Sequence, residues 1–428
     1  MMRAGFATVD ITPPAGTRKI GWLADLTGEV ILDPLWARIA VFDNGATRLA
    51  FVQLDTLCVR WTHANDIRRR IEEAHGFPGR NIMVSATHNH AGPAVADCCP
   101  VECDDDYVER VTRDCVAAFG DALAAMQEVS IGCARAYNFD VPHNRRTVMR
   151  DGTVRSQTMS NLAEHPHLCL EGPIDPEVAV LAARNADGAI AGMLINFACH
   201  PTHHGGTNEF SGGFPARVCA EMAEAGHGIA LYLNGAYGNV IHVDFERCIS
   251  LTLDESADSV AASVAEALES MTFGPSDTLE SQSTTLHLPR RTITDDEYHG
   301  RVRGAQRFRD DALYEGAIDG HIAKAAAEPL QPAEVQVQRI GDTCFVGVPG
   351  EYFVEYQLHL KAAAHPMNAL IVGGANGMLG YIPTRDAFQR GGYETTLGPP
   401  SRMAPEAGEL LFDAALTMVR EPGTGKES

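Results

Sequence analysis

The sequence predicts an α/β fold, a mixed β-sheet core flanked by helices. Two observations carry this. Short apolar or alternating segments take turns along the chain with segments of helical spacing, the pattern that layered sheets and helices require. The polar residues of chemical interest also fall just past the ends of predicted strands, where α/β proteins commonly build sites.

In chain order, residues 30–55 read as a hairpin, two β-rich runs around the turn Asp43-Asn44-Gly45. Residues 62–75 have helical spacing and stop at Gly76 and Pro78. A buried strand follows at 81–86, a long helix at 105–126 and a strand at 129–137. A second hairpin joins 178–183 to 190–198 through Asn185-Ala186-Asp187-Gly188. Residues 215–225 read as helix, 229–233 as strand and 256–271 as helix. The charged stretch 295–327 is expected to be mostly helical, an excursion over the surface. Two strands within 335–348 turn at Gly341-Asp342, another covers 369–372, and 405–420 closes the chain as an amphipathic helix. One domain is expected over 1–421, with a flexible tail over 422–428.

The 428 residues are 45% apolar and 21% charged, enough to build a core without disulfide staples. A formal net charge of -22 and the absence of basic runs argue against nucleic acid and anionic membrane surfaces as partners. No segment approaches the roughly 20 apolar residues that span a bilayer, and the first ten residues lack a signal peptide's apolar run. The expectation is a cytoplasmic protein with a small-molecule substrate and no stable membrane insertion; oligomeric state is not written in the sequence. The eleven cysteines are scattered. Cys115, Cys133, Cys199, Cys219 and Cys344 read as small core residues. Cys98, Cys99 and Cys103 cluster without the second pair that would complete a metal site, so they read as part of a loop.

Four segments could carry chemistry. Thr87-His88-Asn89-His90-Ala91-Gly92-Pro93 places two histidines two apart, and in extended backbone both imidazoles would reach one small volume. A hydrogen-bonded turn is the plainer reading. Phe197-Ala198-Cys199-His200-Pro201-Thr202-His203-His204 ends an apolar strand with three histidines in five residues, or with ordinary loop histidines. Pro349-Gly350-Glu351 puts a carboxylate straight after an apolar strand, either as a ligand or as a residue at a helix N-terminus. Tyr381 lies in a Gly-rich loop, where a surface aromatic is the usual occupant, and Tyr393 follows twelve residues later.

Taken together, these segments resemble the catalytic domain of the neutral/alkaline non-lysosomal ceramidase family. The similarity runs from Gly5-Phe6-Ala7-Thr8-Val9-Asp10-Ile11-Thr12-Pro13 to about Glu394, and Asn144-Arg145 resembles a further family segment. The resemblance implies one zinc ion held by His88, His200, Glu351 and Tyr381, with one position left for water. It implies His90 as general base and then acid, titrating near the working pH. Arg145 and Tyr393 would donate to the oxyanion. Asp55 could orient a ligand histidine or serve structure alone.

The resemblance is to a shorter, bacterial-type member, without the family's secretory signal and C-terminal immunoglobulin-like domain. The chain departs from the family pattern at His203-His204, Gly212-Gly213 and Gly238-Asn239, on what should be the substrate side of the site. With no obvious apolar surface in the sequence, the expected reaction is zinc-dependent hydrolysis of an amide, an N-acyl bond, in a small soluble molecule. A true ceramidase acting on sphingolipid, or a lactone or ester hydrolase, is the alternative. A metal-stabilised binding protein without turnover is the non-enzymatic one.

Overall fold

The computed structural model describes residues 1–22, 24–98, 100–156, 167–302, 311–398 and 400–421, with 311–315 described in backbone only. The predicted tail at 422–428, the middle of the predicted excursion and Cys99 lie outside the described residues.

The main elements are β1 (Arg3–Asp10), β2 (Trp36–Asp43), β3 (Arg48–Leu54), α1 (Trp61–His75), β4 (Ile82–Ala86), α2 (Asp105–Ala124) and β5 (Gln127–Tyr137). They continue with β6 (Glu177–Asn185), β7 (Ile190–Phe197), α3 (Gly213–Glu224), β8 (Ile229–Asn234) and α4 (Leu253–Ser270). The last third contains β9 (Leu279–Pro289), α5 (Asp311–Ala327), β10 (Leu330–Ile340), β11 (Thr343–Val348), α6 (Val354–Ala364), β12 (Asn368–Gly373) and α7 (Ala407–Arg420). All three predicted hairpins form: β2 with β3, β6 with β7, and β10 with β11, each antiparallel. Helix α1 ends where expected, at Gly76 with φ 61°, whose N–H caps the Glu72 carbonyl.

Eight of these strands form the larger sheet in the order β8-β7-β6-β5-β1-β2-β3-β4, and Phe273–Gly274 adds a ninth on β5. The pairs β7–β8 and β3–β4 are parallel and the rest antiparallel, so the sheet is mixed. A second sheet, β9-β10-β11-β12, closes with a parallel pair.

Side chains alternate across each strand, and the apolar ones divide accordingly. Ile39, Val41, Ala50, Val52, Ile82 and Val84 pack under α1 and α2. Their neighbours Ala40, Phe42, Leu49, Phe51 and Met83 face the second sheet and meet Phe345, Leu370 and Val372. Helices α3 and α4 cover the other half of the large sheet, and α6 and α7 cover the outer face of the small one. The result is four layers, helix on sheet on sheet on helix. The predicted mixed sheet flanked by helices is present, and the last third adds a second sheet of its own. Cys133 departs from expectation too, lying exposed on β5, whereas Cys115, Cys199, Cys219 and Cys344 are buried.

Buried amides stitch the two sheets together near their strand ends. Asn196 Nδ2 donates to the carbonyls of Leu233 (2.8 Å) and Ile371 (2.7 Å), one in each sheet. Asn376 sits at φ 59°, accepts the Val84 N–H on Oδ1 at 2.9 Å and donates its own N–H to the Val84 carbonyl. Within the larger sheet, Asn234 Nδ2 joins the carbonyls of Thr87 and Cys199, just past β4 and β7. Replacing Asn196 with Ala strips two buried carbonyls of a donor. It should lower unfolding free energy by about 2 kcal/mol, seen as a lower urea midpoint at unchanged slope.

Candidate metal centre

The seam between the two sheets gathers the candidate side chains. Beyond β4 the chain does not stay extended: His88 takes φ 66°, an uncommon conformation for a residue with a β-carbon. The two histidines therefore converge through a left-handed turn, not by strand alternation. That turn is held by the Asn89 side chain, which accepts the Ala91 N–H and donates to the Ser211 carbonyl at 2.6 Å. His200 leaves β7 with its N–H on the Val240 carbonyl. Glu351 is not in the first turn of α6. It lies in a two-residue strand, Glu351–Tyr352, paired in parallel with Tyr381–Ile382, so Glu351 and Tyr381 are direct register partners. Tyr381 is buried, contrary to the usual fate of a loop tyrosine.

Each of the three imidazoles gives its Nδ1 to a backbone carbonyl: His88 to Leu57 at 2.8 Å, His90 to Gly21 at 2.8 Å, His200 to Tyr237 at 2.7 Å. A carbonyl only accepts, so each Nδ1 carries the proton and each Nε2 presents a lone pair. These nitrogens lie within 4.8 Å of one another. The Nε2 atoms of His88 and His90 are buried and have no hydrogen-bond partner. The Glu351 Oε2 sits 3.1 Å from His200 Nε2 and 3.4 Å from His88 Nε2. Lone pairs and a carboxylate facing each other at such distances repel unless a cation lies between them. Donors held ~2.0–2.1 Å from one tetrahedral ion stand about 3.4 Å apart, the spacing seen here. The donor set fits a metal.

Burial, with the neighbouring imidazoles, holds His90 well below the ordinary histidine value. Burial and the nearby Arg145 bring His200 down to about 4.

Arg145 stacks over the Tyr381 ring at 5.2 Å. Tyr393 packs edge-on to Tyr381 with ring centroids 5.7 Å apart. All seven side chains singled out in the sequence therefore lie in one neighbourhood. Asp55 does not join them. It binds Arg38, Gln53 and the Trp36 N–H, a buttress for β2 and β3, and backbone carbonyls orient the histidines in its stead. His203 stacks on His242 at 3.6 Å and His204 pairs with Glu209, both away from the cluster.

Several residues were missed. Tyr237 stacks on His88 at 4.5 Å. Glu394, fully buried, receives Arg145 Nε and Arg146 Nη1 at 2.7 Å each, together with the Ser156 hydroxyl. Lys19 is buried and donates to the carbonyls of His204 (2.9 Å), Thr207 (2.8 Å) and Glu209, pinning the loop that follows His200. Trp22, 40% exposed, meets His90 edge-on and lies on Gly205 and Gly206, where any β-carbon would come within 2.8 Å of the indole. Only the tertiary fold assembles these contacts.

The profile described as "Neutral/alkaline non-lysosomal ceramidase, N-terminal" matches residues 2–226, more than half of the chain. The chain belongs to the neutral/alkaline non-lysosomal ceramidase family. That match includes His88, His90, Arg145 and His200; Glu351, Tyr381 and Tyr393 lie beyond it. Two solved ceramidase-family structures share the fold. One, described as "Ceramidase complexed with C2", is 17% identical over 98% of this chain and 75% of its own, with a TM-score of 0.75. The other, neutral ceramidase from Pseudomonas aeruginosa, is 17% identical over 100% of this chain and 76% of its own, with a TM-score of 0.73. No curated protein sequence matches. Membership of the ceramidase family and the histidine cluster together support a metal-dependent hydrolase acting on carbon–nitrogen bonds. Among the described residues no helix is long and apolar enough to cross a membrane.

The Glu394 carboxylate is brought down to about 2 by Arg145 and Arg146 against its burial. A lowered value stabilises the fold above the unfolded-chain value and ceases to do so as pH falls toward about 2. Glu394→Gln should therefore cost on the order of 3 kcal/mol near neutral pH. The gap to the parent should narrow below about pH 4.5, as measured by urea unfolding across a pH series; a constant gap between pH 5 and 3 would count against the pairing.

Proposed function

We propose that this chain is a zinc-dependent amidase that hydrolyses an N-acyl bond of a ceramide-like lipid amide. The convergence of three unprotonated Nε2 atoms with the Glu351 carboxylate carries the metal-dependent part of this reading. His88, His200 and Glu351 would hold the ion, with Tyr381 as fourth ligand; imidazoles with oxygen donors suit zinc. When bound, the ion supplies Lewis-acid activation of a water and of the scissile carbonyl.

The chain's own residues supply the rest. His90, with Nδ1 fixed on Gly21 and a free Nε2, takes a proton from the attacking water and returns it to the departing amine. The products are a carboxylic acid and an amine, so atoms and protons balance. Arg145, held by Glu394, and Tyr393 donate to the oxygen on which negative charge builds.

The sequence reading favoured a small soluble amide because no apolar surface was evident. Trp22, Val30, Ile31 and Leu32 are all 40–47% exposed, and Val30–Ile31 pairs with Glu209–Phe210 in the loop after His200. These exposed apolar side chains, the family and the ceramidase neighbours weigh toward the lipid alternative. A cytoplasmic site of action is part of the proposal and is tested by cell fractionation.

Metal analysis should return one zinc per chain, with chelation abolishing hydrolysis of N-acyl amides and zinc restoring it. His88→Ala and His200→Ala should lose metal and activity together, whereas His90→Ala should keep metal and lose at least about 100-fold in kcat. Equal metal loss in His90→Ala would make His90 a ligand and overturn its role. A cobalt-substituted protein with no exchangeable water would instead indicate a binding protein. Trp22→Ala should raise KM about tenfold for long-chain amides, and less for short-chain ones; equal effects on both would return the small soluble substrate to first place.

A further inference from the structure

The chain carries 22 more acidic than basic charges, yet in one cavity every charged lining residue is a cation. It measures about 210 Å³ and is bordered by Arg60, Arg290, Lys324 and Arg402, with no Asp or Glu in its wall. That is several times the ~30 Å³ that a water molecule occupies in the liquid. Pro349 and Leu379 close one side, so the cavity backs onto the segments that carry Glu351 and Tyr381.

The existing counter-ions are poor. Arg60 reaches Asp105 at 3.3 Å and Arg290 reaches Glu328 at 3.6 Å, but those carboxylates are 84% and 64% exposed. Exposed pairs of this kind neutralise little. Arg402 donates to the carbonyls of Met378 and Leu379, and among the described residues no carboxylate pairs with it. The first turn of α1, through Trp61 and Thr62, forms another part of the wall. That turn has no acidic residue, and its N-cap, Arg60, offers no side-chain acceptor, so its free N–H groups add to the positive end of the helix.

Neighbouring groups register the uncompensated charge. Burial and Arg60 push His63 down to about 4, and burial with Arg290 lowers Arg402. His321 is lowered by burial, with Arg290, Arg402 and Arg291 adding to the effect.

We infer that this cavity is a binding site for a phosphate-type oxyanion, separate from the metal centre, with Arg60, Arg290, Lys324, Arg402 and the first turn of α1 as its donors. A tetrahedral oxyanion offers acceptors in several directions at once. Guanidinium forks, an ammonium and helix N–H groups are the donors that recognise it. This inference does not rest on the amidase reading, and its readout is binding, not turnover.

The test is calorimetric titration of the full chain with inorganic phosphate, in metal-loaded and chelated protein, at ionic strength matched with sodium chloride. Saturable binding should appear in both forms and weaken at least tenfold in the double variant Arg60→Gln/Lys324→Gln. Lys324 is exposed and Arg60 pairs with an exposed carboxylate, so melting without phosphate should change little; Lys324→Glu alone provides a second variant with the same expected direction. A parallel titration with glycerol 2-phosphate separates the sources. Tighter binding than phosphate points to a phosphate ester, and equal or weaker binding to the free ion. Absent binding, binding lost on chelation, or equal affinity in the variants would overturn the site.

Discussion

The centre depends on three hydrogen bonds in which backbone carbonyls take the Nδ1 protons of His88, His90 and His200. Each bond fixes a tautomer and a ring orientation together, and the three Nε2 lone pairs consequently face one point. The acceptors come from Gly21, Leu57 and Tyr237, on three separate loops. The rings are aimed only when those loops are in place, and the loops are in place only when both sheets are. The amides of Asn196 and Asn376, which join strands across the seam, and that of Asn234, which ties strand ends within the larger sheet, therefore serve the site as much as the fold.

Electrostatics divides the molecule in a similar way. On one side of the Glu351–Tyr381 pairing lie the imidazoles. On the other, Glu394 neutralises Arg145 and Arg146 without solvent, leaving Arg145 stacked on Tyr381. The carboxylate that holds the guanidinium is one residue from Tyr393, so a single short turn, Tyr393–Thr395, places a candidate donor and fixes its neighbour.

Much of this was legible in the sequence. Strands with unbroken apolar runs, such as those ending at Ala86, Phe197 and Val348, declare themselves, as do turns at Asn44-Gly45 and Gly341-Asp342. Strand β9 does not, because its Ser, Thr and Gln residues alternate over a half-exposed edge. Nor does α6, which begins only three residues after Glu351 and has no side-chain cap. The histidines and Glu351 stood out past predicted strand ends, and it was the order of these short motifs, Tyr381 included, resembling the family's, that singled them out. Glu394, Tyr237 and Lys19 were not, since each acts through partners far away in the chain. Asp55 misled in the other direction: a carboxylate at a strand end near the histidines was claimed by Arg38.

Lys19 has a consequence for how such a protein can change. Its ammonium grips three main-chain oxygens of the segment 204–209 and no side chain there. The path of that segment is thus anchored independently of what its residues are. Apart from the two glycines pressed under Trp22, side chains along it can change while the backbone trace persists, so the surface of this loop can vary without displacing the imidazoles.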